Sequence, residues 1–238
     1  MTSEEKVSLL NPTAKLAGIL FLIIFFLGLS VEIFIRPEII IPGDGAATIN
    51  NIVDSELLFR VSLVSDLVRQ IGIMLLALTL YKLLHSVNKN IASLMVIFAL
   101  MSVAITMINE LNHFAILLLS SRVDYMTVFD AGQLQNLVLF FLDLRAYGTS
   151  IPDIFSLWIF FLGYLVYKSG YLPRILGGLL LVGGICYPLQ AILFLLFPSI
   201  DAMMLNAFAF ISELLFYVWL LIKGVHVEQR EKLTLESI

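Results

Sequence analysis

The chain reads as an all-α protein: a polytopic membrane helix bundle of six transmembrane helices, with one further helix along the extracytoplasmic interface. Three observations lead there. Hydrophobic residues make up 60% of the 238 residues and mean hydropathy is +1.00, against roughly 45–50% apolar in a soluble domain. Six runs reach the ~20 mostly apolar residues that a spanning helix needs. The basic residues sort to alternate connections. No long polar stretch interrupts the pattern, so residues 1–238 form a single membrane-embedded domain.

The first run, 14–35, is too long for the hydrophobic region of a signal peptide and lacks a small-residue cleavage site, so it reads as a retained span. Residues 36–56 carry Pro37, Pro42 and Gly43-Asp44-Gly45, which are turn and breaker signals. The second and third spans cover 57–84 and 91–119. Residues 120–149 begin polar and then contain the apolar stretch Leu134–Leu144. Asp130 is placed to cap a helix starting at Ala131, and Gly148 and Pro152 break or kink it. A straight helix from 131 to 168 would be about 57 Å long, far beyond the hydrocarbon thickness. The reading is therefore an interfacial helix over 131–147, a kink, and a fourth span over 150–168. The fifth span, 174–197, is punctuated by Gly177, Gly178, Gly183 and Gly184. Ala14 and Gly18 begin the first; small residues of this kind let membrane helices approach closely. The sixth span is 202–224.

Orientation follows from the lysines. With the N-terminus inside, Lys6, Lys15, Lys82, Lys89, Lys168, Arg174, Lys223, Arg230 and Lys232 all fall on the cytoplasmic side. The other side holds Arg36, Arg60, Arg69, Arg122 and Arg145 and most of the acids. Both termini are then cytoplasmic. The net charge of −4 argues against a nucleic-acid partner, which requires a basic patch. The single cysteine, Cys186, lies in an apolar run and reads as a small helix residue.

Polar residues cluster on helix faces. The third span carries Ser102, Thr106, Asn109, His113 and Ser120 at spacings that share one face, flanked by Glu110 and Asn112. The second carries Ser62, Ser65, Asp66, Arg69 and Gln70. The sixth carries Asn206, Glu213 and Tyr217, and the fifth Tyr187 and Gln190. Ionisable groups inside a span mark a functional-site hypothesis by default. Counting from the cytoplasmic ends, Arg69, Glu110 and Gln190 lie in the outer half and Glu213 near the midplane. The simplest geometry is a pocket open to the outside with Glu213 at its floor, lined by Asp66, Arg69, Asn109, Glu110, His113 and Gln190. The bland alternative pairs Asp66 with Arg69 and Glu110 with His113 at i,i+3 spacing, and Glu213 with Arg69. Glu32 and Arg36 read as interfacial.

Glu110-x-x-His113 resembles one half of a di-iron bundle motif, but those sites need two copies and further carboxylates. His85 and His226 fall on the cytoplasmic side, and H-E-x-x-H is absent, so no metal and no cofactor is expected. No G-x-S-x-G elbow, Walker loop or dinucleotide fingerprint is present, and no catalytic residue is assigned.

Several segments together resemble a known family. They are Leu58-Phe59-Arg60 with Ser65-Asp66, Leu80-Tyr81-Lys82-Leu83-Leu84 with Val87-Asn88-Lys89-Asn90, and Phe140–Asp143 with Tyr147-Gly148. Gly163-Tyr164-Leu165, the block Gly170-Tyr171-Leu172-Pro173-Arg174-Ile175-Leu176-Gly177, and Glu213 with Trp219-Leu220-Leu221-Ile222-Lys223-Gly224 complete the set. From Ala14 to Gly224 the chain resembles the domain-of-unknown-function 4386 family of prokaryotic integral membrane proteins. The resemblance implies six helices in a bacterial or archaeal cytoplasmic membrane and gives weight to Arg60, Asp66, Asp143 and Arg174. Arg145-Ala146 departs from the pattern, where small or His-like residues are expected.

The expected function is binding or transport of a small cation, a proton or a cationic or lipid-like ligand in the outward-facing pocket. Discontinuous helices would support transport, and Pro188 is the one obvious break. The alternatives are a structural or regulatory membrane subunit and a membrane-embedded enzyme acting on a lipid. The expected partners are the lipid bilayer and a small-molecule or ion ligand, with a homo-oligomer open.

Overall fold

The computed structural model describes residues 3–121, 128–197, 199–200 and 202–225. Arg122, His226, Arg230 and Lys232 lie outside the described residues, as do the N-terminal side chains up to residue 9. Every regular element among the described residues is helical. Helix α1 is Ser3–Ser30, followed without interruption by a π-helical segment, Val31–Ile35, and the short α2, Arg36–Ile39. Then come α3 Gly45–Asp54, α4 Glu56–Leu84, α5 Lys89–Asn109 and α6 Leu111–Ser120. The second half contains α7 Ala131–Gly148, α8 Ser150–Phe155, α9 Trp158–Lys168, α10 Arg174–Leu196 and α11 Met203–Ile222.

Six stretches are long and apolar enough to cross a membrane: Leu10–Ile39, Glu56–Leu84, Lys89–Ser120, Ala131–Lys168, Arg174–Leu196 and Met203–Ile222. The chain is thus an all-α, multi-pass membrane protein. The expected cap at Asp130 is present as a full capping box: its side chain accepts from the Gln133 amide, and the Gln133 side chain accepts from the Asp130 amide. The expected break also appears, at Thr149 between α7 and α8 and again at residues 156–157 before α9.

The connection 36–56, which carries turn and breaker signals, is largely helical. Asp44 caps α3 through the Ala47 amide, after a turn in which Gly43 takes φ +77°. Pro188 does not interrupt α10, which runs through it, buried. The discontinuities fall instead at the π-helical segment, at Glu110 between α5 and α6, and in the α7–α9 stretch.

The described chain packs as two compact units. The terminal unit takes Met1–Ile23, Gly72–Val103 and Ser150–Ile238; the medial unit takes Ile24–Ile71 and Ala104–Thr149. In the terminal unit α10 packs on α8, α9 and α11. The approach of α9 to α10 is set by glycine. A Cβ on Gly177 would overlap the Tyr167 backbone, one on Gly184 that of Phe160, and one on Gly163 that of Leu181. Gly18 sits equally close to Leu221 and the Tyr217 carbonyl, whereas Gly178 faces open space. The Gly170–Gly177 block has a visible structural task. Gly170 turns the chain at φ +73°, Pro173 caps α10, and the Tyr171 hydroxyl donates to the Leu83 carbonyl at 2.8 Å. Arg174 is exposed, its guanidinium 6.0 Å from the Tyr167 ring. The medial unit packs α7 on α3 and α6 around a core of Ile39, Ile52, Phe59, Leu63, Ile116 and Val138.

Candidate functional site

The medial unit holds a buried charged cluster. The Asp66 carboxylate lies between two arginines: Arg36 Nη2 at 2.7 Å from Oδ2 and Arg69 Nη2 at 3.5 Å from Oδ1. The Glu110 carboxylate lies between His113 Nδ1, 2.8 Å from Oε2, and Arg145 Nη2, 3.2 Å from Oε1. The Asp66 and Glu110 side chains are 3% exposed and that of His113 is 1%. Arg36 also pairs with Glu32, an exposed carboxylate one turn earlier.

Each arm has a local cause. In the π-helical segment the Arg36 amide donates to the Val31 carbonyl, five residues back instead of four. This extra residue per turn ends immediately before Arg36. Glu110 occupies the break between α5 and α6, where the helix ladder loosens. Asn109 beside it is buried, and its amide nitrogen donates to the Arg145 carbonyl at 3.0 Å, tying α5 to the end of α7. Gly148 leaves room for that amide, since a Cβ there would collide with it. Gly28 likewise faces the Arg69 side chain. The His113 ring is set edge-on against Phe59, centroids 5.8 Å apart.

Asp66, Glu110 and His113 each offer a possible ligand atom, all within 4.8 Å of one another. Three carboxylate or imidazole donors can in principle hold a metal ion, but both buried carboxylates already face guanidinium groups, which oppose a dication. The orphaned atoms are more informative. Arg36 Nε, Arg69 Nε, Arg145 Nε and His113 Nε2 are buried with no hydrogen-bond partner among the described residues. Four such nitrogens in one cluster are unusual, because buried polar atoms are nearly always satisfied by protein or water.

Sequence reasoning named Asp66, Arg69, Asn109, Glu110 and His113, and the structure brings these five together. It missed Arg36 and Arg145. The sequence places Arg36 at the interface, yet its side chain is 16% exposed and bound to Asp66. Arg145 stood out only as a departure from the family pattern; it is the cation that pairs with Glu110. Glu213 and Gln190 belong to the terminal unit. Within the terminal unit Glu213 accepts a hydrogen bond from the Tyr187 hydroxyl at 3.0 Å, and within the medial unit Arg69 pairs with Asp66. Gln190 is half-buried on α10. The other weighted motif residues are exposed: Arg60, paired with Glu56 at 2.6 Å, and Asp143. A small cleft lined by Ile52, Val53, Glu56, Leu117, Ser120 and Ser121 also lies in the medial unit and includes none of the cluster.

The sequence pattern of the family described as domain of unknown function 4386 matches residues 16–224. The chain belongs to this family. The match takes in most of the first apolar helix and the whole of the other five. The chain is also 31% identical over 154 residues to an uncharacterized protein of Archaeoglobus fulgidus, covering 62% of this chain and 74% of that protein. No solved structure matches.

Proposed function

We propose that the protein is a binding or transport protein of a prokaryotic cytoplasmic membrane, and that its ligand contacts the Asp66–Glu110–His113 cluster of the medial unit. The observation that carries this is the set of four buried, unpartnered nitrogens on Arg36, Arg69, Arg145 and His113. An unsatisfied buried donor is costly, so such a set is explained by an acceptor-bearing group that completes it. The arginines beside both buried carboxylates weigh against a bare cation and for a small polar ligand with several oxygen acceptors. Helix discontinuities beside Arg36 and at Glu110 support the reading, since interrupted spans and π-bulges gather at sites of this kind.

A structural subunit is the second reading, favoured by one fact: each buried carboxylate already has two basic partners. Thermal unfolding of the purified protein against a panel of small anions, zwitterions and lipids separates the two. A ligand stabilises the folded state in proportion to ln(1 + [L]/Kd). The binding reading expects a compound that raises Tm for the wild type and not for Arg69→Gln, the most exposed arm of the cluster. A panel without effect, or a shift that survives Arg69→Gln, favours the structural reading.

The proposed orientation has both termini cytoplasmic, on the distribution of lysines. In a Cys186→Ser background, a membrane-impermeant thiol reagent is expected to label Asp44→Cys in intact cells and to spare Lys89→Cys. The reverse pattern overturns the orientation.

A further inference from the structure

We propose that Glu213 is a proton-binding site: its carboxyl group, held by the Tyr187 hydroxyl with the Tyr217 hydroxyl one helical turn away, takes up and releases a proton while the protein stays folded. This site stands independently of the charged cluster.

The geometry carries the inference. Glu213 is 8% exposed in the middle of α11, and the Tyr187 hydroxyl of α10 donates to its Oε1 at 3.0 Å. Tyr217 is fully buried, and its hydroxyl has no hydrogen-bond partner among the described residues. Helical side chains lean toward the N-terminus, so Tyr217 reaches back over the turn that carries Glu213. Its ring is fixed by stacking on Phe21, centroids 4.1 Å apart, and by the edge of Phe216 at 5.1 Å. The hydroxyl is therefore held in place without being used.

The titratable groups around the carboxyl are few. Tyr187 faces it from α10 and Tyr217 from its own helix, while Asp153 in the first turn of α8 acts on Tyr187. From α1 the ring of Phe21, which does not titrate, stacks on Tyr217. Among the described residues no lysine, arginine or histidine pairs with Glu213. A guanidinium there would supply a counter-charge, as Arg145 does for Glu110.

A phenol hydroxyl is both donor and acceptor. As a carboxylate, Glu213 accepts the hydrogen bond that the Tyr187 hydroxyl donates. As a carboxylic acid it donates its own proton, and a phenol hydrogen rotates to let the oxygen accept. The exchange is COOH ⇌ COO⁻ + H⁺, with the proton passing to or from water, and it needs no rearrangement of the helices. A site able to satisfy both forms is what reversible proton binding requires. An acid in a span without a cation partner is otherwise hard to rationalise.

Infrared difference spectroscopy of the full-length protein in lipid nanodiscs, recorded across pH, reads the site directly. The wild type is expected to show a carboxylic-acid carbonyl band that gives way to carboxylate as pH rises. Glu213→Gln is expected to remove that band, and Tyr187→Phe to shift its frequency because the phenol partner is lost. Asp153→Asn, which removes the other acid near Tyr187, should leave in place the band that Glu213→Gln removes. The proposal is overturned if the band survives Glu213→Gln, or if no carboxyl band titrates over the range in which the protein stays folded. It is also overturned if sodium chloride removes the band at fixed pH, which would assign the site to a metal cation. Should Glu213→Gln fail to fold, Tyr187→Phe decides: a shifted band supports the site, and an unshifted one refutes it.

Discussion

The two units bury acidic residues by opposite means. In the medial unit Asp66 and Glu110 lie among three arginines and a histidine, and each of the two has a basic partner. In the terminal unit Glu213 has a phenol instead, and the helices around it meet through glycine contacts rather than charge. The lesson is that burial alone does not define an acid's role. A carboxylate between guanidiniums is one half of an ion pair, and removing a partner strands a charge. A carboxylate held by hydroxyls is free to change form, and removing its charge strands nothing.

The largest expected effect breaks the medial side of this contrast. Asp66→Asn leaves Arg36 and Arg69 without their shared counter-charge, and buried pairs broken this way cost roughly 3–5 kcal/mol. Reversible unfolding in mixed micelles measures it. A loss under about 1 kcal/mol would mean that the cluster is hydrated and its charges are screened.

Next is the glycine contact of the terminal unit. Gly184→Val drives a side chain into the Phe160 backbone, and overpacking of this kind costs about 1–3 kcal/mol. Gly178→Val, on the same helix but facing open space, is the control and should be near neutral. Equal losses in the two variants would point to helix propensity rather than packing.

A smaller effect is expected for Tyr187→Phe, which deletes one hydrogen bond to a buried carboxyl, worth about 0.5–1.5 kcal/mol. The smallest is for Glu213→Gln, which keeps shape and hydrogen-bonding capacity and should change stability by less than about 1 kcal/mol. A loss from Glu213→Gln as large as that from Asp66→Asn would erase the contrast between the units.

The helical class, the six spans, the Asp130 cap and the break before the fourth span were legible in the sequence because each rests on a local signal: run length, a capping residue, a glycine near a proline. Helix α3 was not, because Pro37, Pro42 and Gly43 mark the turn before it, while its own start depends on one Asp44 cap. Within the cluster, Asp66, Glu110 and His113 stood out as polar groups in apolar runs. Arg36 and Arg145 sit at the ends of such runs, where an arginine commonly reaches water. Only tertiary structure turns them inward. Pro188 misled for a related reason: proline removes one hydrogen bond from a membrane helix without having to break it.

The amide of Val225 donates to the Asn11 side chain at 2.8 Å, just past Gly224 with its φ of +64°, so the first helix closes off the last. Gly18 and Phe21 on the same helix rest on Leu221 and Tyr217. The partner surface of the first span is therefore made last. At roughly 5–20 residues per second of synthesis, the sequence separation of 214 between Asn11 and Val225 sets their appearance apart by on the order of 10–40 s. For that interval the nascent first span waits in the membrane with its small-residue face uncovered, open to the insertion machinery or to a second nascent chain. Assembly of the terminal unit is thus a problem of biogenesis as well as of packing.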